Sequence, residues 1–247
     1  MQSVPVGIIG ISYSVAAFPI LAKCFSEKNM ESFLNNILGA ARQIIFWTLP
    51  VIALIIVLRA QITRVILGAN TFTWADTRLT AAAIALFVIS LASQSLVLLF
   101  VRGYYAASKT KKPLLINIFS SFMIIVFAYL ILYIFKTHPY ILSILEGVLR
   151  VSGVPGTIML ALPLAYALGS LLNFFLIWLM FKKDFLKDRG SMLFVTFLES
   201  SLGAITMGLF SYISLNFFSA IFDLDTFLGI FLQGFISGII GIGAGVL

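Results

Sequence analysis

Few residues in this chain could do chemistry, and they do not occur at the spacing of a catalytic or metal-binding motif. Among the nine carboxylates, one histidine and one cysteine, no metal-ligand spacing, nucleophile–base motif or phosphate-binding loop occurs. The histidine, His138, lies beside Pro139 in a predicted loop, whereas a hydrolase acting inside a membrane needs it within a span. We therefore predict no catalytic residue, no metal site and no cofactor, and we expect a protein that is not an enzyme.

Polar side chains also lie within long apolar runs, where they are unusual. They are Ser93, Gln94, Ser95, Asn117, Asn173 and Glu199. In a lipid environment, such groups face other helices or a water-filled cavity, and a buried carboxylate is a functional candidate by default. Two interpretations therefore stay open, hydrogen bonding between packed helices or the lining of a polar pathway.

Composition places these runs in a membrane. Hydrophobic residues make up 61% of the 247-residue chain and charged residues only 10%, with a mean hydropathy of +1.12. A soluble domain carries about a quarter charged residues. The net charge of +7 comes from basic residues in short loops between apolar runs. This pattern is typical of membrane topology, so we predict no nucleic-acid partner.

The apolar runs predict an all-α polytopic transmembrane helix bundle of about seven spans. The predicted spans are Val6–Ala22, a second ending near Leu58, Thr80–Val101, Pro113–Phe135, Thr157–Phe181, Ser191–Phe217 and Phe227–Leu247. Most are long enough for a hydrocarbon core of about 30 Å. Amphipathic pieces at Lys28–Arg42 and Arg59–Asn70 are expected to flank the second span, and residues 139–150 to lie along the outer interface. Asp76 and Thr77 supply N-cap chemistry for the third span.

The basic residues predict the orientation of the bundle. If the first span runs from outside to inside, eleven of the 16 lysines and arginines lie on the inner side and five on the outer. The outer five are Arg59, Arg64, Arg78, Lys136 and Arg150. The positive-inside rule then places Met1 outside and Leu247 inside. Inner basic loops, including the one after Arg102, become candidate contacts for acidic lipid head groups or pyrophosphate.

Three segments carry recognisable motifs. The first is PVGIIGISYSVAAFPILAKCFSE at Pro5–Glu27, and the second runs through Phe46–Thr80. The third, VRGYYAASKTKKPLLIN at Val101–Asn117, is close to the pattern R-x-F-Y-A-x-x-D-T-K-T-P. Together they resemble the MurJ/MviN lipid II flippases of the multidrug/oligosaccharidyl-lipid/polysaccharide exporter superfamily. Tyr104, Lys109 and Lys112 depart from the pattern, since Phe, Asp and Thr are usual there.

The resemblance implies that the chain is the C-terminal half of a fourteen-span transporter. Residues 1–182 would form about five second-lobe spans, and residues 183–247 two additional C-terminal helices. The chain would then begin within a span, and the missing N-terminal lobe of the same protein would be its partner. A sodium site described for some relatives is not carried over, because the fourth span has only Asn117 and no acid.

The resemblance implies a fragment of a lipid II flippase. Such a protein moves an undecaprenyl-pyrophosphate-linked substrate across the bacterial cytoplasmic (inner) membrane by alternating access, in contact with membrane lipids. The pathway candidates are Ser93, Gln94, Ser95, Arg102, Asn117 and Glu199. One alternative is an exporter of another lipid-linked oligosaccharide, or a drug antiporter of the same superfamily. Another is a non-transporting membrane scaffold that binds a partner through the last helix, where Gly234 and Gly238 form a small-xxx-small motif.

Overall fold

The computed structural model is helical and describes residues 3–68, 72–186, 191–223 and 226–246, with no β-strand among them. Its helices are α1 (Ser3–Ser26), α2 (Met30–Leu67), α3 (Trp74–Ile89), α4 (Leu91–Ala106), α5 (Lys111–Thr137), α6 (Pro139–Leu149), α7 (Ala161–Phe181), α8 (Ser191–Phe218) and α9 (Phe227–Val246). With α3 and α4 counted as one span, seven segments in the described ranges are long and apolar enough to cross a membrane. The predicted all-α bundle is confirmed. Met1, Asn70, residues 187–190 and Leu247 lie outside the described residues.

The second span differs from its prediction. The expected amphipathic pieces at Lys28–Arg42 and Arg59–Asn70 are not separate elements, because α2 is one continuous helix of 38 residues. Its polar residues occur at helical spacing, so they form a polar face along the helix and do not end the helix. Pro50 lies inside the helix and does not interrupt it. At the usual rise, α2 is about 57 Å long, so it exceeds a hydrocarbon core of about 30 Å.

The third span begins earlier than its apolar run. Thr73 is the N-cap, since its hydroxyl accepts a hydrogen bond from the Asp76 backbone N–H (3.2 Å). In return, the Asp76 carboxylate accepts from the Thr73 backbone N–H (3.0 Å). This reciprocal arrangement is a capping box. The predicted N-cap at Asp76 and Thr77 is therefore three residues too late, because Asp76 occupies the third helical position.

The chain divides into two compact units. The first unit comprises Met1–Leu49, Ser90–Phe127 and Tyr166–Ser200, and the second comprises Pro50–Ile89, Ala128–Ala165 and Ser201–Leu247. An aromatic cluster forms the core of the first unit, where the Phe181 ring lies 5.0 Å from Phe100 and 5.5 Å from Tyr104. Aliphatic residues from α3, α6 and the segment before α7 form the core of the second, including Leu86, Leu149 and Leu160.

Glycine-rich α9 packs within the second unit. A Cβ on Gly234 would lie 3.1 Å from the Gln61 side chain, and one on Gly238 would lie 3.4 Å from Leu58. Beside them, the Gln61 side-chain amide donates to the Gln233 oxygen (3.2 Å). The small-xxx-small face of α9 is thus covered by α2 of the same chain. This contact weighs against the scaffold interpretation, which needs that face for a partner.

In the first unit, α1 and α4 approach closely at Gly10. A Cβ on Gly10 would lie 2.9 Å from Ser95 Cα and 2.8 Å from its Oγ. Because backbone lies within this distance, no rotamer change can relieve the overlap. The apposition of Gly10 and Ser95 therefore sets the spacing of these two helices.

Gly10→Ala should lower the free energy of unfolding by about 1–3 kcal/mol, because the methyl group overpacks this crossing. Gly7→Ala is the matched control, since no heavy atom lies within 4 Å of its Cβ position. It should be neutral or stabilising by up to about 1 kcal/mol. Thermal unfolding of the purified chain in detergent measures both. Equal unfolding temperatures for the two variants would contradict the close crossing.

Candidate functional site

A cavity of about 470 Å³ in the first unit brings together seven polar side chains from its spans. Four helices form it, namely α1, α4, α5 and α7. Its polar lining consists of Gln94, Asn117, Ser120, Ser121, Tyr166, Ser170 and Asn173. Such a concave site with convergent polar groups is the default candidate for binding or passage of a polar molecule.

Helical periodicity positions these side chains. On α5, Asn117, Ser120 and Ser121 are three and four residues apart, so they share one face. On α7, Tyr166 and Asn173 lie two turns apart on one face. Within otherwise apolar helices, this spacing is a sequence signal for a polar stripe. It would have identified Tyr166 and the α5 serines, which the residues predicted above do not include.

Gln94 is held by two hydrogen bonds. Its side-chain N–H donates to the Ser90 hydroxyl (2.6 Å), and its oxygen accepts from the Tyr166 hydroxyl (3.2 Å). These bonds use both ends of the amide, so they fix its orientation toward the cavity. The phenol of Tyr166 thereby links α7 to α4 through a polar contact inside the bundle.

A second polar pair lies on α5 and α7. The Asn173 side-chain N–H donates to the Asn117 oxygen (3.1 Å). The Asn173 oxygen and the Ser120 hydroxyl are buried, and neither has a hydrogen-bond partner among the described residues. Buried polar atoms are normally paired with protein, water or ligand, and an unpaired one costs about 1–3 kcal/mol. The lining therefore suits a hydrated cavity better than a dry one.

The predicted pathway residues separate into two groups. Gln94 and Asn117 line the cavity. Ser93 is buried and Ser95 is fully buried against Gly10, so both positions fit helix packing. Arg102 donates from Nε to the Ser14 hydroxyl (3.2 Å), and Glu199 is exposed on α8. The structure thus does not place these four residues in the cavity lining.

The basic junction of α4 and α5, which comprises the end of α4, the connecting loop and the start of α5, contacts the segment after α7. Lys112 Nζ forms an ion pair with Asp184 (2.7 Å to Oδ1), and the Tyr104 hydroxyl donates to the same carboxylate (3.1 Å). Lys109 Nζ lies 4.7 Å from the centre of the Phe185 ring. The three positions that depart from the motif pattern therefore contact one short segment, Asp184–Phe185. Two lysines of this junction, Lys109 and Lys112, are engaged within the protein.

A hydrated cavity should make position 94 reactive where its neighbours are not. In a Cys24→Ser background, Gln94→Cys should react with a charged, membrane-impermeant thiol reagent at least about tenfold faster than Ser93→Cys or Ser95→Cys, because thiolate formation needs water. The three positions are consecutive on α4, so they share depth and differ in face. Equal labelling rates at all three would contradict a hydrated cavity.

Comparison with known proteins identifies relatives of the chain. The family model described as "Lipid II flippase MurJ" matches residues 1–232. A probable lipid II flippase MurJ of Rickettsia prowazekii (strain Madrid E) is 34% identical over 116 residues, covering 47% of this chain and 23% of the relative. That of Buchnera aphidicola subsp. Baizongia pistaciae (strain Bp) is 26% identical over 113 residues, covering 46% and 22%. The alignments thus span less than a quarter of these relatives.

A solved structure shares the fold. The chain "Lipid II flippase MurJ, inward closed conformation" matches with a TM-score of 0.63 and 20% sequence identity, covering 96% of this chain and 43% of that one. The motifs, the seven apolar segments and the family match over residues 1–232 agree. This chain belongs to the lipid II flippase MurJ family.

Proposed function

We propose that the chain is part of a lipid II flippase, a transporter that moves an undecaprenyl-pyrophosphate-linked substrate across the bacterial inner membrane by alternating access. The observation that carries this proposal is the family match over residues 1–232. The polar cavity supports it, since a carbohydrate and pyrophosphate group needs hydrogen-bonding partners in place of water during passage. Gln94, Asn117 and Tyr166 supply such partners within apolar helices.

Other helices complete the transporter in this proposal. The chain covers 43% of the matched flippase structure. We assign residues 1–182 to second-lobe helices and 183–247 to two additional helices, and the N-terminal lobe is the proposed partner. Membrane lipids surround the many large apolar side chains exposed on α5 and α8. The positive-inside bias of eleven to five supports an orientation with Met1 outside and Leu247 inside.

Genetic complementation tests this function. A bacterium depleted of its own lipid II flippase receives the complete natural gene that contains these 247 residues. We expect growth to be restored, and lipid II to become accessible to a membrane-impermeant probe outside the cell. Gln94→Leu should impair rescue because it removes the amide from the cavity, whereas the matched Ser93→Ala should not.

One result would contradict the proposed function, and another would contradict the role of the cavity. Failure of the natural protein to restore growth, although it accumulates in the membrane, would contradict lipid II transport. Full rescue by Gln94→Leu would place the cavity outside the pathway and favour a packing role for its polar lining.

A further inference from the structure

Three arginines converge on a second cavity of about 470 Å³, which lies in the second unit. They are Arg59 of α2, Arg78 of α3 and Arg150 at the end of α6. These are three of the five basic residues that the topology count assigns to the outer side. The positive-inside rule disfavours basic residues on the outer side. Membrane topology alone therefore does not explain why three arginines line one cavity there.

The arginines are positioned by neutral acceptors. Arg59 Nη2 donates to the Leu149 carbonyl (3.1 Å), and Arg78 donates from Nε and Nη2 to the Arg150 carbonyl (3.0 and 2.6 Å). Arg150 Nη2 donates to the Tyr212 hydroxyl (3.3 Å). Arg150 itself has a left-handed backbone (φ 59°) where α6 ends. This turn directs its carbonyl toward Arg78.

The positive charge of this group is not neutralised by the described residues. The ion pairs Lys23–Glu27 and Lys112–Asp184 both lie in the first unit and involve none of the three arginines. Of the nearest carboxylates in sequence, Asp76 caps α3 and Glu146 accepts a hydrogen bond from Thr157. Arg59 and Arg150 line the same cavity, so their positive charges disfavour each other. An anion in the cavity would offset that repulsion.

Hydrogen-bonding capacity also remains. A guanidinium has five N–H donors, and the bonds described above use one on Arg59, two on Arg78 and one on Arg150. Neutral side chains at the cavity, Asn216 and Ser219, add further polar groups. Planar guanidinium groups match the geometry of phosphate oxygens in paired hydrogen bonds.

We propose that the cavity lined by Arg59, Arg78, Arg150 and Tyr212 binds a phosphate-bearing anion. The source is either the head group of an anionic membrane lipid or free phosphate, because both present the same oxygens to the arginines. The apolar part of the lining, which includes Ile56 and Leu215, suits a lipid. This binding requires no transport, so it can be confirmed or contradicted independently of the proposed flippase function.

Native mass spectrometry of the purified natural protein that contains this chain tests the site. The probes are phosphatidylglycerol, zwitterionic phosphatidylcholine and inorganic phosphate. Arg150→Gln should weaken phosphatidylglycerol binding about tenfold, because it removes a charged donor. This variant keeps the Arg150 backbone carbonyl that holds Arg78. The control, Lys136→Gln, removes the same charge from an exposed outer-side residue at the end of α5 and should change binding less than about twofold.

The outcomes separate the two sources. Phosphatidylglycerol binding that depends on Arg150 and resists excess inorganic phosphate identifies a lipid site. Arginine-dependent binding of inorganic phosphate that displaces the lipid identifies a free-anion site. The proposal would be overturned if the natural protein and Arg150→Gln bound phosphatidylglycerol and inorganic phosphate equally well. It would also be overturned if neither protein bound either of these two probes. As a control, a thermal unfolding transition like that of the natural protein would show that Arg150→Gln is folded.

Discussion

The structure depends on the exclusion of water from a hydrocarbon environment, which obliges the polar groups within a span to face other helices or a water-filled cavity. Gln94 shows how this constraint is met, since its amide bonds to Ser90 on its own span and to Tyr166 on α7. Asn117 and Asn173 form a second such pair. These contacts join α4, α5 and α7 in the first unit, and they line a cavity instead of closing it.

Neighbouring positions on α4 show how one helix serves packing and function together. Ser95 is fully buried against Gly10, so its small side chain permits the close crossing of α1 and α4. Gln94, one residue earlier, points toward the cavity. Because adjacent residues on a helix are about 100° apart, a short polar run can meet both requirements. The rigid crossing then positions the cavity wall.

The sequence predicted the spans well, and it predicted the ends of the second and third spans poorly. Apolar runs of sufficient length identify a span in any tertiary context. The charged residues at the end of a run do not mark the end of the helix, since α2 continues through Arg42 and Arg59, both of which are compatible with a helix. The candidate site was predicted in part. Polarity identified Gln94 and Asn117, but it did not distinguish them from Ser93 or Ser95, because the packing of neighbouring helices decides which face meets the cavity. Tyr166 was missed because a tyrosine in an apolar run is not by itself a polar signal.

Lipid II transport is tested by translocation of fluorescent lipid II by the native protein, purified from its own membrane and reconstituted in vesicles. We expect translocation faster than in protein-free vesicles. Gln94→Leu should lower the rate at least about tenfold, which is comparable to the loss of one buried polar contact. No translocation above the protein-free rate, with the protein folded and correctly inserted, would contradict lipid II transport.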